Sequence, residues 1–333
     1  MGIKCLLKFI NETPDLIQQV DNSKYKFKRI AIDISILIYK IIISVRNSGA
    51  DYTNQQGEIT SHILGLFNKT IELLKLGIIP VYVFDGKPPN IKNKLLENRK
   101  QIRKKALEKL QFATTEEDKI KYLKRSSSIS KEQWTQCKEL LELMGIPYIN
   151  APEEADSQCA YLAKVGLVYG VLTEDMDILT FGSTKIIRNL TSHKIPTTEI
   201  DLNNLLQHLD LNQEEFIDFC ILLGCDYCQG LIEYKPNIIY EYFLKNKSIE
   251  KTLQAMKNDN INVPDEIHYK DTKKYFLNPN VTPILLNQLK MNKPKYDILL
   301  KKLVDKYGLI KFLIKQKLDN LNKYYEILQR ELF

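Results

Sequence analysis

The sequence predicts an α/β fold: a mostly parallel central sheet flanked by helices. Three apolar runs, at 29–33, 79–85 and 168–175, each end in an aspartate, and apolar residues at helical spacing, such as Ile38, Ile41 and Ile42, follow the first of them. Continuous apolar runs mark strands buried on both faces, and strands that alternate with helices favour a parallel sheet. In such a sheet reactive groups lie beyond the carboxyl ends of the strands, where these aspartates fall.

The first strand is RIAID, ending at Asp33. The second, IPVYVFD, ends at Asp85 and runs into Gly86 and two prolines. The most informative stretch is 151–182, APEEADSQCAYLAKVGLVYGVLTEDMDILTFG. It reads as a helix over 154–165, a stop at Gly166 and a buried strand over 167–172. Acids pair at Glu154 with Asp156 and at Asp175 with Asp177. Along an extended loop, residues two apart point the same way, so Asp175 and Asp177 are expected to face one point. On a regular helix residues two apart diverge, so Glu154 and Asp156 converge only if the helix starts between or just before them, which Pro152 favours. Acids in a first turn also offset the helix dipole without any further role. Three aspartates gathered at one sheet edge would repel strongly unless cations neutralised them, and all-oxygen ligands favour Mg²⁺ or Mn²⁺ over zinc.

Between 92 and 109 the composition turns basic, with Lys92, Lys94, Arg99, Lys100, Arg103, Lys104, Lys105 and Lys109 against Glu97 and Glu108. The segment 114–130 continues it around a weak helix that carries Lys124 and Arg125, with a loop at 126–128. Charge runs are usually solvated faces; a basic arm that begins just after Asp85 also suits a polyphosphate substrate. The run 215–223 is a helix that leads into a seventh acid, Asp226, and helical patterns recur at 238–244 and 298–313.

The chain of 333 residues, 44% of them hydrophobic, can bury a large core. Its 48 Lys and Arg exceed 41 Asp and Glu, a formal +7 although acids are gathered in one place, so the rest of the surface is more basic, as a polyanion binder requires. Cysteines stand at 5, 137, 159, 220, 225 and 228; Cys225 and Cys228 form a C-x-x-C with no second pair to complete a zinc ribbon, and the pattern fits a reducing compartment. Neither a signal peptide nor a membrane span is visible, and Leu6 stands where myristoylation requires Ser or Thr. The expectation is a soluble intracellular protein.

Several long motifs in order, MGIK, IAIDISILIYK, GEITSHILGLF, GIIPVYVFDGKPPNIK, LMGIPYINAPEEADSQCAYL, LTEDMDILTFG and FIDFCILLGCDYC, resemble the flap endonucleases of the XPG-type structure-specific nuclease family over residues 1 to about 230. The resemblance implies a PIN-like nuclease core (1–86 and 132–228), a helical arch (87–131) and a helical C-terminal region with a helix-hairpin-helix-like element (229–333). It implies two Mg²⁺ ions, replaceable by Mn²⁺, held by Asp33, Asp85, Glu154, Asp156, Asp175, Asp177 and Asp226. Lys92 and Arg99 match the family's basic residues on the scissile phosphate, Tyr39 its base-stacking aromatic and Gly2 its small N-terminal residue, while Thr60 and Lys69 fall where the unpaired 3′ nucleotide binds. Arg46, Lys124 and Arg125 are further basic candidates for substrate contact.

The implied activity is hydrolysis of branched DNA near the base of a 5′ flap, in replication and repair, with 5′ exonuclease activity as a possible accompaniment. RNA-containing flaps are a further substrate class. The alternatives are a 5′ exonuclease or gap nuclease and a catalytically silent junction binder. The expected site of action is the nucleus or another place of DNA replication, and the expected state is monomeric. Departures from the family pattern are Asp156 in place of glutamate, as in the exonuclease branch, Cys5 for a glycine, Gln55 for an acid, and GLIEYKP at 230–236 for a glycine hairpin that grips duplex and K⁺. QRELF near the end lacks the spacing of a clamp-binding motif, which leaves recruitment of a sliding clamp open.

Overall fold

The structure, a computed structural model, describes every residue except Met1, Pro14, Ser48, His193, Asp265, Glu266 and Phe333. In chain order its elements are α1 (Leu6–Asn11), β1 (Gln18–Gln19), β2 (Arg29–Asp33), α2 (Ile34–Arg46), α3 (Ser61–Lys75), β3 (Ile79–Phe84), α4 (Asn93–Gln111), α5 (Glu116–Arg125), α6 (Lys131–Met144) and β4 (Tyr148–Asn150). There follow α7 (Ala155–Lys164), β5 (Gly170–Leu172), α8 (Asp177–Thr180), β6 (Lys185–Arg188), β7 (Thr198–Asp201), α9 (Leu202–His208), α10 (Gln213–Leu223), α11 (Pro236–Asn246), α12 (Ile249–Asn258), α13 (Lys270–Leu277), α14 (Tyr296–Lys301) and α15 (Lys311–Leu332).

The chain divides into two compact units. The first comprises Met1–Asp21, Asp85–Leu95 and Ala151–Pro283; the second comprises Asn22–Phe84, Leu96–Asn150 and Ile284–Phe333. The C-terminal region read from the sequence as one block is therefore shared between them.

In the first unit β5 and β6 run parallel, with Val171 opposite Ile186, while β7 joins β6 antiparallel and the two-residue β1 joins β7 antiparallel. That antiparallel edge accords with a sheet read as mostly, not wholly, parallel. The expected strand over 167–172 shortens to Gly170–Leu172, because Gly166 at φ +74° closes α7 and turns the Leu167 and Val168 amides back onto the Leu162 carbonyl. Helix α10 is the core of this unit's helical layer. A capping box of Asn212 and Glu215 starts it, its residues from Phe216 to Leu223 are buried, and Gly224 ends it. Between α10 and α11, Gly224 and Gly230 pack backbone to backbone: a β-carbon at Gly230 would lie 2.4 Å from the Gly224 nitrogen. The Leu231 amide donates to the Leu222 carbonyl at 2.7 Å, so the 224–235 segment folds back on the helix it leaves.

In the second unit β2, β3 and β4 are parallel, with Ala31 opposite Val81 and Val83 opposite Ile149. Every residue of β3 is buried, as its unbroken apolar sequence requires, and the one hydroxyl it carries inward, on Tyr82, pairs with Thr70 at 2.9 Å. The basic segment forms α4 and α5, where the sequence placed the arch. The helical pattern expected over 298–313 is interrupted: Gly308 takes φ +68°, and α15 begins only at Lys311.

Candidate active site

The site is built in the first unit by two loops and a helix start. Strand β3 ends at Phe84, and Asp85 accepts a hydrogen bond from the Ala155 amide at 2.8 Å, at the first residue of α7. Gly86 lies against the same turn, donating to the Glu153 carbonyl at 2.6 Å; a β-carbon there would meet the Ala151 carbonyl oxygen at 2.2 Å, so glycine alone allows this approach. Glu154 is the N-cap of α7, with extended dihedrals (φ −83°, ψ 141°), and Asp156 lies in the first turn. Thus the helix starts between the two acids, which is the condition for their convergence. Pro152 plays a different part from the one expected: it precedes the helix and accepts from the Lys87 amide at 3.2 Å.

Asp175 and Asp177 follow β5. They do not lie along an extended loop; Asp177 opens α8, and its amide donates to Asp175 Oδ1 at 3.2 Å, a turn that brings the two carboxylates together. The Asp175 amide in turn donates to Thr173 Oγ1 at 3.0 Å. Gly2 packs on this pair at φ +81°, and a β-carbon there would lie 1.8 Å from Asp175 Oδ1 and 2.9 Å from Asp177 Oδ1. Asp226 enters from the segment after α10.

Lys92 is the cation of this group. Its ammonium pairs with Glu154 Oε1 and lies 3.7 Å from Asp226 Oδ2, over the ring of Tyr227. Burial alone would lower its pKa, but the charge and hydrogen bond of Glu154, with Asp226 and Asp156 beyond, raise it above the ordinary lysine value. The acids are pushed the other way. Burial raises the Asp175 carboxyl, and it raises Asp177 well above the usual range, with the neighbouring charges of Asp175 and Asp226 adding to the effect. Asp177 Oδ1 is buried without a hydrogen-bond partner among the described residues. A buried, oxygen-only donor set that resists its own negative charge fits hard divalent cations. Among the described residues, however, no three His, Cys, Asp or Glu side chains as they stand are grouped so that they could hold a metal ion. Lys92 and two phenols are the partners of Glu154 instead.

Those phenols, Tyr227 and Tyr275, were not singled out by sequence reasoning. Both hydroxyls donate to Glu154 Oε2, that of Tyr275 at 3.2 Å, and burial raises both phenol pKa values so that each keeps its proton. Tyr227 follows Asp226 directly and could have been noticed there. Tyr275 comes from α13, where it reads as one more apolar position.

The remaining predicted residues lie in the second unit. Asp33 is buried at the carboxyl end of β2, where it caps α2 by accepting from the Ser35 amide at 2.7 Å and the Ile36 amide at 3.3 Å. Tyr39 is half-buried on α2 and Arg99 half-buried on α4. Lys69 pairs with Glu72 at 3.2 Å, and Lys124 donates to Asn47 Oδ1 at 2.9 Å. Arg125 closes α5 and is exposed. Two of the candidate contact residues are buried. Arg46 is buried rather than presented to a ligand: its guanidinium grips Asp51 (2.8 Å from Nη2) and donates to the Leu123 carbonyl at 3.0 Å and Ser127 Oγ at 2.8 Å, tying α2 to the end of α5. Thr60 is also buried, its hydroxyl 3.3 Å from the Tyr52 carbonyl.

The chain matches the XPG N-terminal domain model over residues 1–106 and the XPG I-region model over 145–226. It is 42% identical to flap endonuclease 1 of Homo sapiens over 308 residues, 90% of this chain and 81% of that protein. With flap endonuclease 1 of Nematostella vectensis it shares 40% identity over 330 residues, 97% of this chain and 88% of that one. Among solved structures, flap endonuclease-1 from Methanococcus jannaschii superposes with a TM-score of 0.73 at 32% identity, covering 93% of this chain and 96% of its own. The catalytic core of Rad2 in complex with DNA substrate gives 0.73 at 27% identity, covering 96% and 100%. The chain belongs to the XPG family of nucleases. Within it, the relatives named here put it in the flap endonuclease branch.

Proposed function

We propose that this protein is a metal-dependent hydrolase that cuts DNA near the junction between a 5′ flap and duplex, in replication and repair. The observation that carries the reading is the gathering of Glu154, Asp156, Asp175, Asp177 and Asp226 within electrostatic reach of the half-buried Lys92 ammonium, with Asp85 held on the first amide of α7, on a chain whose relatives are flap endonucleases. These six carboxylates are the cation ligands, with Asp33 added as a seventh on the family resemblance alone. Divalent ions, two Mg²⁺ or Mn²⁺, supply Lewis acidity when bound, acidifying water and neutralising phosphate charge.

The protein's own groups do the rest. The lack of a side chain at Gly2 lets the N-terminal segment lie against Asp175 and Asp177. Lys92 and Arg99 offset the negative charge that builds on the phosphate in the transition state, Lys92 exchanging its carboxylate partner for a phosphate oxygen. Tyr39 stacks on the base beside the cut, Lys69 serves the unpaired 3′ nucleotide, and Lys124 and Arg125 contact the DNA backbone. The exonuclease and silent-binder alternatives are less favoured, because the relatives are flap endonucleases and every acid of the motif set is retained. The protein acts as a monomer on branched DNA, RNA-containing flaps included.

The test is cleavage of an end-labelled double-flap DNA with Mg²⁺ beside a nicked and a blunt duplex. One cut at the flap base, lost in EDTA, is expected. A ladder of mononucleotides from the nick would select the exonuclease reading, and binding with no cut would select the silent junction binder.

A further inference from the structure

Glu154 is held unsymmetrically. Its Oε2 accepts two phenolic hydrogen bonds, from Tyr227 and from Tyr275 at 3.2 Å, while its Oε1 accepts from the Lys92 ammonium. A carboxylate oxygen has two lone-pair sites, so the phenols fill those of Oε2. The two tyrosines come from different elements, the segment after α10 and the helix α13. They are braced by one aromatic cluster: ring centroids of Tyr227 and Tyr275 lie 5.2 Å apart, and those of Phe181 and Tyr275 5.6 Å apart. Neither ring can turn without disturbing the other, which fixes the plane of the carboxylate.

We propose that Tyr227 and Tyr275 are positioning residues that occupy Oε2 of Glu154 and so present Oε1 alone to a divalent cation. The inference rests on the metal-site reading above. In this arrangement Oε1 of Glu154, the oxygen that the Lys92 ammonium holds, would be the one offered to a cation, and loading would free the ammonium for substrate. Partners that orient a ligating carboxylate change metal affinity by about 10- to 100-fold when removed. The Tyr275 hydroxyl is also within hydrogen-bond reach of the Glu153 carboxylate, and its one proton can go to only one of the two acids, so Glu153 needs its own control.

The test is calorimetric titration of the full chain with Mn²⁺ at neutral pH, without DNA. Tyr275→Phe and Tyr227→Phe keep the rings and remove only the hydroxyls. Each is expected to bind Mn²⁺ at least about 10-fold more weakly than wild type, while Glu153→Gln binds as wild type does. Wild-type affinity in both phenylalanine variants would overturn the proposal, as would a Glu153→Gln variant that reproduces the Tyr275→Phe loss. If Tyr227→Phe does not fold, Tyr275→Phe decides alone. A wild-type protein that binds no Mn²⁺ would overturn the metal-site reading itself, and the inference with it.

Discussion

Replacing Asp177 with asparagine should make the metal-free protein more stable while destroying its activity. Asp177 is 4% exposed, and its Oδ1 has no hydrogen-bond partner among the described residues. Burial raises its pKa, and the charges of Asp175 and Asp226 raise it further, against a smaller opposing pull from Lys92. Because the folded carboxyl holds its proton more tightly than the unfolded one, the native state binds more protons between the two pKa values. Stability therefore falls as pH rises from about 4 through the folded pKa, by about 1.4 kcal/mol for each unit of separation. Asparagine carries no charge and can donate to Asp175, so at pH 7.5 in EDTA it should recover about 1–3 kcal/mol, the usual cost of a buried unsatisfied polar group. For a chain of this size that is roughly 2–6 °C in melting midpoint. Circular dichroism melts in EDTA at pH 7.5 and pH 4 read the effect. At pH 4 the wild-type carboxyl is already protonated, and the gain should shrink toward zero. Added Mg²⁺ should stabilise wild type more than the variant, since a ligand of the native state stabilises by mass action. A variant that melts at or below wild type at pH 7.5 in EDTA, or gains equally at both pH values, would refute the reasoning.

Lys92→Ala should lower single-turnover cleavage by about 100- to 1,000-fold, the range for removing one preorganised charge at a reacting group, with flap affinity less affected. Gly2→Ala forces Asp175 to move, because the new β-carbon would sit 1.8 Å from its Oδ1. Misplacement on that scale should cost about 100-fold in the cleavage rate, read under saturating enzyme. Arg46→Met should destabilise the fold by about 3–5 kcal/mol in urea unfolding by leaving Asp51 without its buried partner, and Arg46→Lys should recover only part of this because an ammonium lacks the guanidinium fork. If Arg46→Met kept full stability and lost only DNA affinity, the surface-contact reading of Arg46 would be restored.

The strands were legible because burial on both faces writes continuous apolar runs. RIAID became β2 over the predicted residues, and IPVYVF became β3. The acids were legible for the same reason, since each closes or follows an apolar run. Local features that depend on a single glycine were harder to place. Gly166 shortened β5 and Gly308 broke the last helical pattern, both through left-handed dihedrals that a periodicity count does not weigh. Partners distant in sequence could not be read at all. Tyr275 lies 121 positions from Glu154, and on an amphipathic helix a tyrosine that donates a hydrogen bond looks the same as one that only packs. Arg46 shows a related limit: a basic residue at the end of a helix is usually solvated, and only the arrival of Leu123 and Ser127 turns it into a buried anchor.

The most direct test of the account is a paired measurement on Asp175→Ala: single-turnover cleavage of a double-flap DNA with Mg²⁺, and binding of the same DNA with Ca²⁺. The account predicts loss of cutting with flap affinity within a few-fold of wild type, because the carboxylate serves the cation site and not the grip on DNA. Cleavage at the wild-type rate would contradict the assignment of the acid cluster as the catalytic centre.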